Sequence, residues 1–202
     1  VMLGGEHSVT LGLVQALKQR HPNMSVLHLD AHADMRDSYQ DTPYNHACIA
    51  RRISEICPIV QVGIRSLSIE EAAFLAAEKK AGKKAKTRIK TWYATEVLKG
   101  VDWSRVVKDL SGEVFITVDL DVFDPAIMPA TGTPEPGGLG WYDALAVLRQ
   151  ASSTRRVIGF DVVELCPLPG NVAPDFLAAK LVYKMMGYAL EGRAKKKAGR
   201  AR

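Results

Sequence analysis

The sequence has few cysteines and no long apolar run, and each shortage excludes a class of protein. Three cysteines occur in 202 residues, Cys48, Cys57 and Cys166, and none belongs to a C-x-x-C pair. This argues against a disulfide framework and a zinc site of thiolates, and it predicts a reducing compartment such as the cytoplasm, with an organelle left open. No apolar run approaches the roughly 18 residues of a membrane span, and no signal peptide is visible, so we expect no membrane partner.

The excess of basic charge is confined to one end of the chain. The formal net charge is +5, but the last eleven residues, GRAKKKAGRAR, hold six Lys or Arg and no acid. Without them, 21 basic residues stand against 22 acidic ones. We therefore expect no specific nucleic-acid partner, one domain over residues 1–190, and a disordered basic tail over residues 191–202.

Apolar residues at helical spacing alternate with short, continuous apolar runs. The helical spacing predicts helices over 8–20, 46–56, 68–84, 141–152 and 173–190, the first capped by Ser8 or Thr10. The apolar runs predict buried strands over 24–30, 58–65, 113–121 and 155–165, with a Pro- and Gly-rich loop over 122–140. Such alternation favours a three-layer α/β/α fold with a mostly parallel sheet. Because the opening VMLGGEHS is typical of the end of a strand, we expect the fold to lack its N-terminal strand or strands.

Acidic and imidazole side chains follow several of the predicted strands. Asp30, His32 and Asp34 come directly after one strand, and Asp119 and Asp121 end another. Spacing of two residues sends such side chains to one side of an extended chain. His7, in the Gly-rich GGEHS, and Glu164, at the end of VIGFDVVEL, complete the set. Parallel sheets bind ligands at the carboxyl ends of their strands, so we expect these groups to share one cleft.

Four carboxylates in one cleft would repel one another strongly unless cations neutralise them. Two divalent ions would balance four aspartates. The Asp and His ligands, with no thiolate, favour a hard to borderline ion such as Mn²⁺. Two ions bridged by a hydroxide form a hydrolytic centre. The sequence therefore predicts a hydrolase with two Mn²⁺ per chain.

Other polar residues nearby are interpreted as structural. His28 is expected to point away from the neighbours of Asp30, and His21 to end a helix. Asp37 and Asp41 are expected to lie in loops. Asp161, in GFDVVE, is either a support for the ligands or a polar group of the core, and the sequence leaves both open.

Four blocks of the chain together resemble the ureohydrolases, the family of arginase and agmatinase. They are GGEHS, DAHADMRD, VDLDVFDPAIMPATGTPEPGGL and GFDVVELCP, in family order between residues 4 and 167. The resemblance implies an arginase-like fold, a two-manganese site, and hydrolysis of a guanidinium group to urea and an amine. It also implies that residues 1–190 are a ureohydrolase catalytic domain that is incomplete at its N-terminus.

The resemblance assigns a role to each matching position. His7, Asp30, Asp34 and Asp119 match the ligands of one manganese ion. His32, Asp30, Asp119 and Asp121 match those of the other, with Asp30 and Asp119 bridging. Glu164 matches the carboxylate that holds the substrate guanidinium, and His46 matches a histidine used for proton transfer and substrate contact. Asp34 is expected to aim the hydroxide and relay a proton, and Thr131 to shape the substrate wall.

The residues within these blocks favour an agmatinase-like member of the family. Arginase-like members have an asparagine two residues after the last Asp of the DAHxD block, where this chain has Arg36. The implied reaction is attack of a metal-bridging hydroxide on agmatine, which yields putrescine and urea for polyamine biosynthesis. The implied partners are a small guanidine and further copies of the chain, in a trimer or hexamer.

Three alternatives stay open at this point. The substrate is another guanidine, as in guanidinobutyrase or arginase. The chain is a truncated, non-catalytic paralogue that keeps the metal site. Or it is one of the deacetylases that share the fold, although these use one zinc and a different ligand pattern.

Overall fold

A single sheet of six parallel strands forms the centre of the fold. The computed structural model describes residues 1–82 and 88–200, and side chains as far as residue 192. Within these residues every strand pair is parallel. The strands are β1 (Met2–Leu3), β2 (Ser25–Leu29), β3 (Ile59–Ile64), β4 (Ile89–Tyr93), β5 (Glu113–Asp119) and β6 (Arg156–Val163).

Helices cover both faces of the sheet. They are α1 (Val9–Arg20), α2 (Ile49–Ser54), α3 (Ile69–Ala81), α4 (Ala94–Val97), α5 (Trp103–Val107), α6 (Trp141–Thr154) and α7 (Ala173–Arg200). One buried cluster joins the sheet to α1, α2 and α3, and a second joins its other face to α4, α5, α6 and α7. The prediction of a three-layer α/β/α fold with a parallel sheet is therefore confirmed. In the described residues no helix is both long and apolar enough to span a membrane.

The alternation of side chains along the strands builds these two cores. Leu27 and Leu29 of β2 face the cluster with α4 to α7, whereas Val26 faces the cluster with α1 to α3. On β5, Val114 and Ile116 face the cluster with α4 to α7, and Phe115 faces the cluster with α1 to α3. This is the period of two that a strand buried on both faces requires.

The strand order places a switch point between β2 and β5. The order across the sheet is β1-β6-β5-β2-β3-β4. From β2 the chain proceeds through α2 to β3 on one side, and from β5 it proceeds through α6 to β6 on the other. Connections that leave two neighbouring strands in opposite directions open a crevice at their carboxyl ends, where such folds bind ligands.

Most of the predicted elements form, with ends shifted by a few residues. The segment 46–56 differs, because a 3₁₀ turn over His46–Cys48 precedes the short α2. Helix α3 begins after Ser68, whose hydroxyl accepts from the backbone of Glu71. The predicted extension of this helix through 83–84 lies outside the described residues. No element is predicted from the sequence for the segments that form β4, α4 and α5.

The prediction of a disordered tail from residue 191 differs from the structure. Helix α7 continues through Arg200, so the backbone of 191–200 is helical. Ala, Lys and Arg are strong helix formers, and they extend a helix already anchored by its first turns. The tail residues 201–202 lie outside the described residues.

Arg65 and a close backbone contact hold the long loop after β5. The guanidinium of Arg65 donates to the backbone carbonyls of Asp121 at 2.7 Å, Glu135 at 2.8 Å and Pro136 at 3.0 Å. Gly138 lies against Phe123, and a Cβ added there would come within 2.4 Å of the Phe123 carbonyl carbon. The loop is therefore bound to the end of the strand that carries Asp119 and Asp121.

We expect Gly138→Ala to destabilise the protein by about 1–3 kcal/mol, because the added methyl group forces two backbone segments apart. Urea denaturation measures the free energy of unfolding. Gly132→Ala, in the same loop with open space around its Cβ position, is the control and should have little effect. Equal stability of the two variants would contradict this close contact.

Candidate metal centre

Four aspartates and two histidines meet at the switch point between β2 and β5. Asp30 and Asp34 follow β2, Asp119 is the last residue of β5, and Asp121 lies in the 3₁₀ turn that follows. Each of these four carboxylates is 6% exposed or less. His7 reaches the same cleft from the segment between β1 and α1.

One half of the cluster surrounds His7. Its Nδ1 lies 3.1 Å from Asp119 Oδ2, 3.2 Å from Asp30 Oδ2 and 3.6 Å from Asp34 Oδ2. Its other ring nitrogen, Nε2, lies 2.9 Å from the hydroxyl of Thr117. A histidine held in this way at Nε2 turns Nδ1 towards a cation among the carboxylates.

The other half of the cluster surrounds His32. Its Nδ1 lies 2.8 Å from Asp121 Oδ2 and 3.6 Å from Asp30 Oδ1. Asp30 thus belongs to both halves, with Oδ2 on the side of His7 and Oδ1 on the side of His32. The remaining oxygen of Asp121 accepts the backbone N–H of Ala31 at 3.0 Å, which ties the ends of β5 and β2 together.

Burial and mutual repulsion act on the acids of this cleft. Loss of solvation is the largest cause that raises the pKa of Asp34 and of Asp119 well above the usual range, and the charge of Asp30 adds to it. The pKa of Asp121 is raised for the same two reasons. Without a cation, the cleft therefore favours bound protons over four free carboxylates.

Burial has the opposite effect on the pKa of a histidine, because it disfavours the charged, protonated form. Burial alone would lower the pKa of His32, but hydrogen bonds and charges from Asp121 and Asp30 outweigh it and raise this pKa to about 11. The pKa of His7 is raised in the same way by Asp119 and Asp30. A divalent cation would take the place of these protons. The oxygen and nitrogen donors, arranged in two halves around a shared carboxylate, fit a pair of divalent cations.

Glu164 lies beside the His7 half of the cluster. Its Oε1 accepts the backbone N–H of His7 at 2.6 Å, and its own N–H donates to the carbonyl of Gly5. Burial is the main cause that raises the pKa of this half-buried carboxyl. Glu164 has a φ of 66° and Asp34 a φ of 53°, a left-handed conformation that is costly outside glycine and typical of functional sites.

His46 lies at the exposed mouth of the cleft and is held by Glu6. Oε1 of Glu6 accepts from the backbone N–H of His46 at 3.1 Å and lies 2.6 Å from its Nδ1. The hydroxyl of Ser8 donates to the other oxygen of Glu6. Ser8 is the N-cap residue of α1, as predicted, but its hydroxyl contacts Glu6 and makes no side-chain cap hydrogen bond with the helix. Thr10, the other predicted cap, donates to Asp161 instead, at 2.8 Å.

Thr131 lies in the loop after β5, close to the segment that follows Glu164. The carbonyl of Ala130 accepts the backbone N–H of Cys166, two residues beyond Glu164. The side-chain oxygen of Thr131 is buried and has no partner among the described residues. A buried hydroxyl without a partner is costly in the ligand-free protein and available to a ligand.

One prediction about this cluster was wrong. His28 does not point away from the neighbours of Asp30, because its ring centre lies 5.2 Å from that of His7 and its Nε2 lies 2.8 Å from Asp30 Oδ2. The two residues are two positions apart in an extended segment and so share a side of the strand. His21 lies after the end of α1, as predicted, and meets Glu113 at 3.1 Å.

Several residues of the site were missed from the sequence. Arg65 and Gln61 lie in none of the four blocks, and Glu6 has no role assigned to it within GGEHS. The contacts of all three arise only when distant segments meet. The one available signal was that Glu6 adjoins His7 in GGEHS. Asp161, left open between a support and the core, is buried and carries a raised pKa, chiefly from burial.

Comparison with known proteins agrees with this geometry. The profile of the arginase family matches residues 1–187. The chain belongs to the arginase family. An N(1)-aminopropylagmatine ureohydrolase of Synechocystis sp. is 41% identical over 200 residues, which are 97% of this chain and 62% of that protein. An agmatinase of Pyrococcus horikoshii is 36% identical, over 93% of this chain and 62% of that protein.

The solved structures give the same assignment. The agmatine ureohydrolase of Thermoplasma volcanium matches with a TM-score of 0.77 and 35% identity, over 96% of this chain and 63% of that one. The resemblance to the ureohydrolases and the arginase-like fold are therefore confirmed. The chain spans somewhat less than two thirds of the length of these relatives.

We expect the metal-free protein to lose thermal stability as the pH rises from about 5 to 9. The raised pKa values of Asp34, Asp119, Asp121, His7 and His32 mean that the folded state binds more protons than the unfolded one. For His32 this contribution is complete below pH 6.5 and is lost between 6.5 and about 11. Thermal melts in the presence of a chelator measure the effect, and Mn²⁺ should reduce the slope.

His32→Asn is the matched variant for this measurement. It removes the contribution of His32 and should flatten the slope above pH 6.5 in the metal-free protein. A melting temperature of the unsubstituted, metal-free protein that rises across this pH range would contradict the assigned electrostatics.

Proposed function

We propose that this chain carries the active site of a manganese-dependent ureohydrolase that acts on agmatine or its aminopropyl derivative. The observation that carries the proposal is the division of the cluster into two halves that share Asp30. Agmatine would yield putrescine and urea, in line with the agmatinase relative. The aminopropyl derivative would yield urea and a longer polyamine, and the relative from Synechocystis sp. is named for that substrate.

The residues proposed to hold the cations are the two histidines and the aspartates that surround them. His7, Asp30, Asp34 and Asp119 would hold one Mn²⁺, and His32, Asp30, Asp119 and Asp121 the other. When bound, the pair of ions would lower the pKa of water enough to make hydroxide available near neutral pH. The donor set, free of thiolates, supports Mn²⁺ over softer ions.

Three side chains are proposed to handle the substrate and its protons. Asp34, whose Oδ2 lies 3.6 Å from His7 Nδ1 at one side of the cluster, is proposed to accept a proton at its carboxylate and to pass it on. His46 would deliver a proton to the leaving amine through Nε2, since its Nδ1 is engaged by Glu6. Glu164 has one oxygen occupied by the N–H of His7, which leaves Oε2 to pair with the guanidinium.

One position near the cleft departs from the arginase-like members and favours a substrate without an α-carboxylate. Arg36 stands where arginase-like members have an asparagine, and its guanidinium lies 5.2 Å from the ring centre of Tyr39. Tyr39 in turn lies edge-on to His46, with ring centres 6.0 Å apart. We propose that Thr131 lines the wall of the substrate cleft. We also propose that the chain forms a homo-oligomer, a trimer or hexamer.

The competing functions are weaker but testable. A one-zinc deacetylase does not need two ligand halves, and membership of the arginase family disfavours it. Another guanidine, such as guanidinobutyrate or arginine, would use the same centre. A paralogue without catalysis would keep the cations and release no urea.

A urea-release assay tests the proposal directly. The Mn²⁺-loaded protein is offered agmatine, N(1)-aminopropylagmatine, arginine and guanidinobutyrate, and its metal content is measured on the same sample. We expect urea from at least one of the first two and little from arginine. Bound manganese without urea from any substrate would indicate the non-catalytic alternative.

We expect Asp121→Asn to lower manganese content and to reduce urea release by orders of magnitude, because Asp121 serves one half of the cluster. Asp109→Asn is the control and should leave both unchanged, because this exposed carboxylate precedes β5, at the end of the strand opposite to Asp119. Near-normal turnover in Asp121→Asn would overturn the two-cation assignment.

We expect His46→Ala to slow turnover by about 10²-fold or more, as for loss of a general acid. Manganese content should stay the same, since the described contacts of His46 are with Glu6 and Tyr39 rather than with the aspartates. Metal analysis and kcat are measured together, and a loss of manganese would show that the role of His46 is misassigned.

A further inference from the structure

A row of buried polar side chains crosses the sheet just before the strand ends that carry the ligands. In register, Asp161 of β6 pairs with Thr117, Thr117 with His28, His28 with Gln61, and Gln61 with Thr91 of β4. The first four are 1% exposed or less. Buried polar groups are costly without partners, so the contacts of this row reveal its chemistry. We call His28, Gln61 and Thr91 the relay.

The contacts of Gln61 determine which way its amide faces. One amide atom lies 2.7 Å from the carbonyl oxygen of Ala33, which can only accept a hydrogen bond, so that atom is the nitrogen. The amide oxygen accepts from the hydroxyl of Thr91 at 3.0 Å. Gln61 is thereby oriented at both ends.

The orientation of Gln61 determines in turn where His28 carries its proton. The Gln61 nitrogen lies 3.1 Å from His28 Nδ1, so Nδ1 is the acceptor. The proton of the neutral imidazole is then on Nε2, which donates to Asp30 Oδ2 at 2.8 Å. To bind a cation, Nε2 would have to give up its proton, and Nδ1 cannot take that proton because it already accepts from Gln61. His28 is therefore held as a donor to Asp30 rather than as a ligand, although it lies within the His7 half of the cluster.

Asp30 is consequently held by a donor on each oxygen. Its Oδ1 accepts the backbone N–H of His32 at 2.6 Å, and its Oδ2 accepts from His28. These two bonds set the plane of the carboxylate, with Oδ2 towards His7 and Oδ1 towards His32. A carboxylate that bridges two cations needs this presentation, with one oxygen for each.

We propose that His28, held by Gln61 and Thr91, is a positioning residue that sets Asp30 to bridge the two cations. The inference rests on the proposed function, because it assumes that both halves of the cluster are filled. It assigns a role to three residues on three adjacent strands. Two of these residues, Gln61 and Thr91, do not touch the aspartates. Outer hydrogen bonds of this kind typically change metal affinity by about 10- to 100-fold.

Calorimetric titration with Mn²⁺ and electron paramagnetic resonance of the loaded protein test the proposal without substrate. His28→Phe keeps the ring and removes the donor, and Gln61→Met keeps the shape and removes the hold on Nδ1. We expect each to bind Mn²⁺ about 10- to 100-fold more weakly, with two ions at saturation and an altered spin coupling between them. His28→Gln, which restores an amide donor, should recover much of the affinity and the coupling.

Ser25→Ala is the matched control, because Ser25 is a buried polar residue of the same strand that accepts from Ser111 at 2.9 Å, far from the cations. It should lower stability and leave Mn²⁺ binding unchanged. If His28→Phe does not fold, Gln61→Met carries the test alone.

Two results would overturn the positioning role. Native affinity and coupling in both His28→Phe and Gln61→Met would show that the relay does not act on Asp30. Saturation of His28→Phe with one ion would make His28 a ligand. Failure of the unsubstituted protein to bind a pair of ions would instead reject the proposed function itself.

Discussion

Four aspartate carboxylates share one buried cleft, and this concentration of like charge is the constraint on which the rest of the site depends. Burial and repulsion raise the pKa of Asp34, Asp119 and Asp121, while His7 and His32 keep protons to offset the charge. Bound divalent cations would neutralise these carboxylates in place of the protons.

The fold supplies this cleft through its topology. Two neighbouring parallel strands, β2 and β5, send their connections in opposite directions and end with Asp30 and Asp119 side by side. Arg65 ties the loop after β5 to the end of that strand, through the carbonyls of Asp121, Glu135 and Pro136. The relay runs by hydrogen bonds from Thr91 through Gln61 to His28, and His28 donates to Asp30. The geometry of the cluster thus rests on ordinary strand register, extended by a few long polar side chains.

The fold class and the cluster were predictable because both follow from local rules. Apolar runs alternating with amphipathic segments indicate a parallel sheet, and ligand residues at strand ends converge by topology alone. What the sequence does not reveal is contact between distant segments: Glu6 with His46, Gln61 with His28, and Arg65 with the loop. His28 was misjudged for a simpler reason, since a period of two places it with Asp30. The strand β4 and the short α4 and α5 lack a clear periodic pattern.

Anomalous diffraction from crystals of the protein grown with Mn²⁺ tests the central claim most directly. The account predicts two peaks in the cleft, one contacted by His7 and Asp34 and the other by His32 and Asp121, with Asp30 between them. A single peak, or manganese bound away from these side chains, would contradict it.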